Sequence, residues 1–370
     1  MKKKKILFLL EAFDKGGIEQ VTLDIVNHLD PKKYDITIQT FWYGGHCQSL
    51  VNPNIAVKPF FFKRYVRGII RLIECMSPKM LYRLFVHGDY DVEIAASDGG
   101  AAKVISGSTN KKAKKICWVH MDVVNRGSQL KEFTNADTAK LIYDKFDVIV
   151  PVSESCKERF IEKFGAEYPY CVKRNPIPVE SILKKANERI TILHSDGVKF
   201  VCVGRLEEQK GFDRLIEACR QVKKKVNLPF HVDIVGRGTG FEQLSNLIES
   251  FGLEKDITLL GFQKNPYPYI KNADVFLLSS RDEAFPLVVG ESLIIGTPVI
   301  ATDCAGVSEW LENGRYGLII ENSIDGIVDG MMRVLREPEL LNTYRKEIPN
   351  AQSSISFRTT LEEFEKILYE

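Results

Sequence analysis

The chain has 370 residues, 44% hydrophobic and 27% charged, which is more than one core usually serves and sets an expectation of two domains. These proportions sit near the soluble globular average and exclude wholesale disorder, a collagen-like repeat and a disulfide miniprotein. The net charge of +2 is low for a dedicated nucleic-acid binder, but residues 1–175 carry 28 basic against 20 acidic side chains and the remainder 23 against 29, so the first half is expected to face something anionic.

The start, MKKKKILFLLEAF, has a short apolar run interrupted by Glu11 and Asp14, which argues against a signal peptide. No stretch reaches the roughly 18 uninterrupted apolar residues of a membrane span. Eight cysteines are scattered without a C-x-x-C, the pattern of reduced thiols in a cytosolic protein.

KILFLLE (5–11) predicts a strand, and IEQVTLDIVNHL (18–29) a helix with Ile18, Val21, Ile25 and Leu29 on one face. ITIQTFW (36–42), VEIAAS (92–97), KICWVH (115–120) and VIVPVS (148–153) predict further strands. Their unbroken apolar character suits strands buried on both faces of a parallel sheet. The segment 60–85 mixes aromatic and aliphatic residues with Lys63, Arg64, Arg67, Arg71, Lys79 and Arg83. It reads equally as an amphipathic helix pair packing on the first domain or as a contact with an anionic membrane surface.

The strand–helix pattern then restarts. VKFVCVG (198–204), a helix over about 211–225, FHVDIVG (230–236), ITLLGF (257–262), DVFLLSS (274–280), PVIATD (298–303) and YGLIIE (316–321) form a second set. Two such sets predict two doubly wound α/β domains, with the boundary near RNPIPVE (174–180). FRTTLEEFEKILYE (357–370) predicts a terminal amphipathic helix. In such sheets ligands bind where strands end, which directs attention to the residues just after each strand.

Gly16-Gly17 follows the first strand and opens a helix, a place for a phosphate or simply a tight turn. Arg205 and Lys210 flank a helix start, where the dipole disfavours cations unless an anion joins them. Glu283 and Glu291 lie in a loop and in the helix after it, spaced to hold hydroxyls of two sugars, or as solvated acids at a helix start. Pro286 suits the first turn of that helix, and amides near Phe285, Pro286, Leu287 and Val288 would form a cradle for anions and hydroxyls. His120 ends a strand, where it could hold a reacting group or be an ordinary half-buried histidine. Asp89-Tyr90-Asp91 precedes its strand and reads as a turn, not a metal site. GRGTG (236–240) fails the dinucleotide fingerprint because Phe241 replaces its last glycine, which counts against a nicotinamide dehydrogenase.

With these residues assembled, the chain resembles the retaining glycosyltransferases of family four, of GT-B fold and bacterial surface-polysaccharide type. The likeness runs through VGRLEEQKGFDRLIEA, IVGRGTG, LLGF and ADVFLLSSRDEAFPLVVGESLIIGTPVIATDCAGVSEWL, joined in the first half by GGIEQ, His120 and VSESCKERF. It departs at Ala284 and at Ala305-Gly306, where glycines are usual. The resemblance implies two Rossmann-like domains facing across a cleft: an acceptor-binding domain over 1–175, completed by the helix 355–370, and a donor-binding domain over 176–354. It implies that Arg205 and Lys210 bind the donor diphosphate, Glu291 the ribose and Glu283 the donor sugar. His120 would stand beside the reacting sugar, Gly16-Gly17 near the phosphates and Phe262 near the base.

The expected reaction moves a hexose-type sugar from a nucleoside-diphosphate sugar, with UDP foremost, to a glycan or lipid-linked acceptor with retention. No metal or other cofactor and no nucleic-acid partner is expected. The expected location is cytoplasmic, peripheral to the membrane through 60–85. A non-catalytic partner subunit and a nucleotide-sugar epimerase remain as alternatives.

Overall fold

Parallel strands need long crossovers, and most of those described in the two units are helices. The computed structural model describes residues 2–13, 16–45, 48–61, 75–120, 135–190 and 197–369. Contacts divide the chain into two units, Met1–Pro176 with Arg358–Glu370, and Ile177–Phe357. Each holds a six-stranded sheet whose paired strands are all parallel.

In the first unit the strands are β1 (Lys4–Leu10), β2 (Tyr34–Trp42), β3 (Ala56–Phe61), β4 (Val92–Ala95), β5 (Lys114–Val119) and β6 (Val148–Pro151). They are ordered β3-β2-β1-β4-β5-β6. The order reverses between β1 and β4, so the loops leaving these two strands part in opposite directions and open a crevice. Ile6, Leu7, Phe8 and Leu9 are fully buried, as a strand covered on both faces requires.

β3 departs from the sequence reading, in which Phe60 and Phe61 opened the expected helical segment 60–85. Its Pro59 hides it from a strand pattern, yet β3 is an edge strand, where a residue with no N–H is tolerated. Phe60 packs on Phe85 with ring centroids 4.6 Å apart. A helix in this segment covers Pro78–Phe85. Residues 62–74, with Lys63, Arg64, Arg67 and Arg71, lie outside the described residues.

The terminal helix, Phe357–Ile367, completes this unit. Phe364 is 2% exposed and stacks on Trp118 at 5.0 Å and on Phe8 at 6.3 Å. Two lysines then satisfy carbonyls at the helix end: Lys114 Nζ donates to Ile367 O at 2.6 Å, and Lys4 Nζ donates to Leu368 O. Cations at that end also complement the helix dipole.

The second unit holds β7 (Val198–Val203), β8 (Phe230–Val235), β9 (Ile257–Gly261), β10 (Val275–Leu278), β11 (Val299–Thr302) and β12 (Gly317–Ile320). Their order is β12-β11-β10-β7-β8-β9, with the reversal between β7 and β10. The helix Phe212–Lys225 buries Phe212, Leu215, Ile216, Cys219 and Val222 against this sheet. Burial pushes the thiols of Cys202 and Cys219 far up, so they serve as small apolar groups. A helix at Val179–Ala186 begins inside the segment expected to be only a boundary.

Phe364→Ala should leave a cavity between the terminal helix and β5. The expected loss is about 3–5 kcal/mol from the stability of the first unit, read as an earlier urea transition for that unit with the transition of the second unit unmoved.

Candidate functional site

β10 is buried along its whole length, and the chain turns polar as soon as it ends: Ser279, Ser280, Arg281, Asp282, Glu283. The neighbouring β7 does the same at Gly204-Arg205. The two loops are stitched together by backbone and side chain. Arg281 N donates to Gln209 O at 2.7 Å, Gln209 Nε2 to Asp282 O at 2.8 Å, and Ser279 Oγ to Lys210 O at 2.8 Å. Arg281 also forks onto Asp213 at 2.7 and 2.6 Å. Gly211 makes this approach possible: its φ is +64°, and a Cβ there would sit 2.2 Å from Ser279 O.

The result is a close contact between two of the predicted site residues. Lys210 Nζ donates to Glu283 Oε1 at 2.5 Å, and Ser280 Oγ donates to the same oxygen at 2.6 Å. Glu283 is buried, at 8% exposure, and the Lys210 side chain is 18% exposed. An ammonium has three donors, and Glu283 takes the one that is bonded among the described residues. The other two can meet an anion while the carboxylate holds the ammonium in place. Arg205, expected beside Lys210, is exposed and makes no ion pair among the described residues.

Glu291 stands in the helix Leu287–Ile295 and has a different partner, the hydroxyl of Tyr267, which donates to Oε1 at 3.2 Å. Pro286 precedes this helix as its cap (φ −68°, ψ 101°) instead of lying within the first turn. Leu287 and Val288 form that turn, half-buried. Phe285 stacks on Trp310 at 4.5 Å. Gly306, at φ +75°, passes so close that a Cβ would meet the Phe285 ring at 2.6 Å. Of the two positions noted at 305–306, the glycine stands where backbone geometry needs it.

Phe262 follows β9, 43% exposed, with the Arg237 guanidinium 4.9 Å from its ring centroid. The glycines of GRGTG have a packing reason. A Cβ on Gly236 would fall 1.8 Å from Gly204 O, and one on Gly238 2.4 Å from Leu206 O.

Gly16, Gly17 and His120 belong to the first unit. Gly16 caps the helix Gly17–His28 in extended conformation, and a Cβ there would crowd the Glu19 carboxylate at 2.4 Å. His120 follows β5, its ring 4.9 Å from that of Trp118. The residue is half-buried, and its Nε2 is buried with no hydrogen bond among the described residues. Burial lowers the imidazole pKa to about 3, so the ring is neutral at pH 7 and offers one donor and one acceptor.

Several positioning residues escaped the sequence reading. Ser280 is one. Arg214 donates to Ser279 O and to Asn322 Oδ1, both at 2.8 Å, while Asn322 Nδ2 donates to Arg281 O at 2.9 Å. Cys304 Sγ, its pKa pushed up by burial to about 12, donates to Ser280 O at 3.2 Å. Polarity directly after a buried strand marked the loop itself. Asn322 and Cys304 come from two other strand ends, and no local signal links them to it.

Residues 184–351 match the family model for glycosyl transferases group 1. The chain carries a group 1 glycosyl transferase domain. Arg205, Lys210, Phe262, Glu283, Phe285, Pro286, Leu287, Val288 and Glu291 all fall within this transferase domain, whereas Gly16, Gly17 and His120 precede it. The chain is 27% identical over 354 residues to an uncharacterized glycosyltransferase of Haemophilus influenzae, covering 91% of this chain and 92% of that one. It is 25% identical over 355 residues to the UDP-Gal:alpha-D-GlcNAc-diphosphoundecaprenol alpha-1,3-galactosyltransferase of Escherichia coli, covering 90% and 88%. It also superposes on the crystal structure of Anabaena HepE in complex with UDP. That match has a TM-score of 0.75 at 19% identity and covers 98% of this chain and 99% of that one. The fold is GT-B.

The neutral state of His120 has a pH signature. Its folded pKa, about 3, lies below the unfolded value of about 6.5. The unfolded chain therefore binds the extra proton first, and stability falls as pH drops from about 6.5 towards 3. The His120 imidazole resonances should not titrate between about pH 5 and 8, as followed by heteronuclear NMR. His120→Gln should make the acid decline of stability shallower in a paired denaturation series.

Proposed function

We propose that this chain transfers a hexose-type sugar from a UDP-sugar to a hydroxyl of a lipid-linked glycan, with retention, in the assembly of a bacterial surface polysaccharide. The observation that carries this reading is the Lys210–Glu283 contact at the reversal between β7 and β10. It sets a cation for phosphate beside a carboxylate for sugar hydroxyls. The UDP held by the Anabaena protein and the diphosphoundecaprenol-linked acceptor in the name of the Escherichia coli relative support the choice of donor and acceptor. A non-catalytic subunit has no use for so closely held a Lys–Glu–Ser cluster, and an epimerase would need no acceptor.

In the proposed reaction the bond from the anomeric carbon to the diphosphate oxygen breaks. A bond from that carbon to the acceptor oxygen forms on the same face. The acceptor proton passes to the leaving phosphate, which is the nearest developing base. Lys210 and Arg205 stabilise the charge that gathers on the diphosphate. Glu283 binds donor-sugar hydroxyls and holds Lys210, Glu291 binds the ribose, Phe262 flanks the base, and His120 hydrogen-bonds the reacting sugar as a neutral ring. The second unit takes the donor and the first the acceptor. The two cationic side chains meet the charge for which other enzymes use a metal.

The test is a panel of UDP-, GDP-, ADP- and dTDP-sugars screened by thermal shift and then by hydrolysis and transfer, with the product anomer read by NMR. Arg205→Ala and Lys210→Ala should each lower turnover by roughly a hundredfold or more with the fold retained, and EDTA should leave the wild-type rate unchanged. Wild-type rates in both variants would defeat the phosphate assignment.

The acceptor proposal includes a membrane contact through 60–85. In its described part, Met80 and Leu84 are 57% and 53% exposed on the helix Pro78–Phe85, with Lys79 and Arg83 beside them. No helix among the described residues is long and apolar enough to cross a membrane. A few basic residues at about 1 kcal/mol each suffice for reversible attachment to anionic lipid. Sedimentation with anionic but not neutral liposomes, lost at high salt and on changing Lys79 and Arg83 to Glu, is the expected result.

A further inference from the structure

The sequence marks Glu11 only as a break in an apolar run, and the reaction proposed above leaves it unused. It follows β1 directly, beside the reversal between β1 and β4. Its backbone belongs to one side of that reversal: Phe41 N and Trp42 N, both in β2, donate to Glu11 O at 3.0 and 3.3 Å. Its side chain belongs to the other. A Cβ on Gly100 would lie 3.2 Å from Glu11 Oε1, and one on Gly99 3.7 Å from it, and these glycines follow β4. Gly99 has a backbone (φ +104°, ψ −127°) that suits only glycine, and a side chain at Gly100 would also strike the Phe41 ring at 2.9 Å. The glycine pair clears the space that the carboxylate enters, so Glu11 spans the reversal.

Glu11 is exposed, yet the atoms around its carboxyl desolvate it and raise its pKa; the Gly100 N–H works against the rise, and no cation among the described residues joins it. Capping the helix Gly100–Ser106 is the plain use of this carboxylate, because Gly99 supplies no side-chain cap. Capping uses one oxygen. A carboxylate offers about four acceptor sites, and the exposed side of Glu11 keeps the rest for hydroxyl donors. Across the reversal, Ser97 is 7% exposed and its hydroxyl has no hydrogen-bond partner among the described residues. Both sides of the reversal thus hold polar capacity that the described residues leave unused.

We infer that Glu11 is an acceptor-binding residue, taking hydrogen bonds from the hydroxyls of an uncharged acceptor sugar. The inference rests on the reading that the first unit takes the acceptor. A carboxylate with no cation beside it repels phosphate and other acids. The part of a lipid-linked acceptor that meets Glu11 is therefore its sugar, and its diphosphate lies elsewhere.

The experiment is steady-state transfer by wild-type protein, Glu11→Gln and Glu11→Ala. The donor is the best UDP-sugar of the panel above. The acceptors are synthetic short-chain lipid diphosphates carrying glucose, galactose, GlcNAc or GalNAc. Circular dichroism and calorimetric titration of UDP report that each variant is folded, and UDP affinity should stay within about twofold of wild type. Glu11→Ala should raise the acceptor KM roughly tenfold or more, the size expected for a lost hydrogen bond to a charged group, with kcat little changed. Glu11→Gln should fall between, because its amide oxygen still accepts but carries no charge. A wild-type acceptor KM in both variants, a fall in kcat with KM unmoved, or a loss of UDP affinity that matches the loss of acceptor overturns the role of Glu11 and leaves the proposed transfer standing. Absence of transfer by wild-type protein to every acceptor of the set overturns the proposed function and this inference with it.

Discussion

Burial on both faces penalises a charge along a strand but not at its end, and this constraint organises both units; Glu93, buried within β4, has its carboxyl pKa raised accordingly. Parallel order makes every strand end at the same edge of its sheet. Polar side chains excluded from the strands collect there from several parts of the chain. The reversal between β7 and β10 spreads two adjacent loops, and Lys210 and Glu283 come from those two loops. The pair therefore follows from the topology together with the local chemistry of Gly211, which lets the loops touch.

The cluster illustrates how a charged site is kept ready. Lys210 and Glu283 offset each other's charge in a half-dry setting, where either alone would carry a desolvation penalty of several kcal/mol. Ser280 fixes the carboxylate, and the Arg214–Asn322 bridge fixes the backbone that carries Ser280. Arg205 stays in solvent, where its charge costs little and is felt at longer range. One cation is thus held in a set place and the other is left to reach.

Much of this was legible in the sequence. The apolar runs marked eleven of the twelve strands among the described residues, because full burial writes itself as consecutive Val, Ile, Leu and Phe. The exception, β3, contains Lys58 and Pro59 and survives only as an edge strand. Arg205, Lys210 and Glu283 stand out in the sequence because each lies just after a strand, and Glu291 because it lies in the helix that follows Glu283. Their partners do not. Tyr267 reaches Glu291, and Asn322 and Cys304 reach the loop that carries Ser280, through the folded sheet, and periodicity carries no information about which strand end will lie beside which. Proline suits a cap as well as a first turn, and Pro286 takes the cap. The neutrality of His120 depends on surrounding volume, which no neighbouring letter in KICWVH reveals.

The helix Phe357–Ile367 gives the order of synthesis a physical meaning. The sheet of the first unit is made early, but the side chain that covers Trp118 and Phe8 is Phe364, near the end of the chain. As translation proceeds, the second unit has all its strands before that cover exists. The first of the two units to emerge from the ribosome is thus finished after the second, and until then it displays an aromatic face that invites aggregation or a chaperone. A chain cut before Phe357 would keep every described strand of both sheets and still lack the helix that covers the first unit.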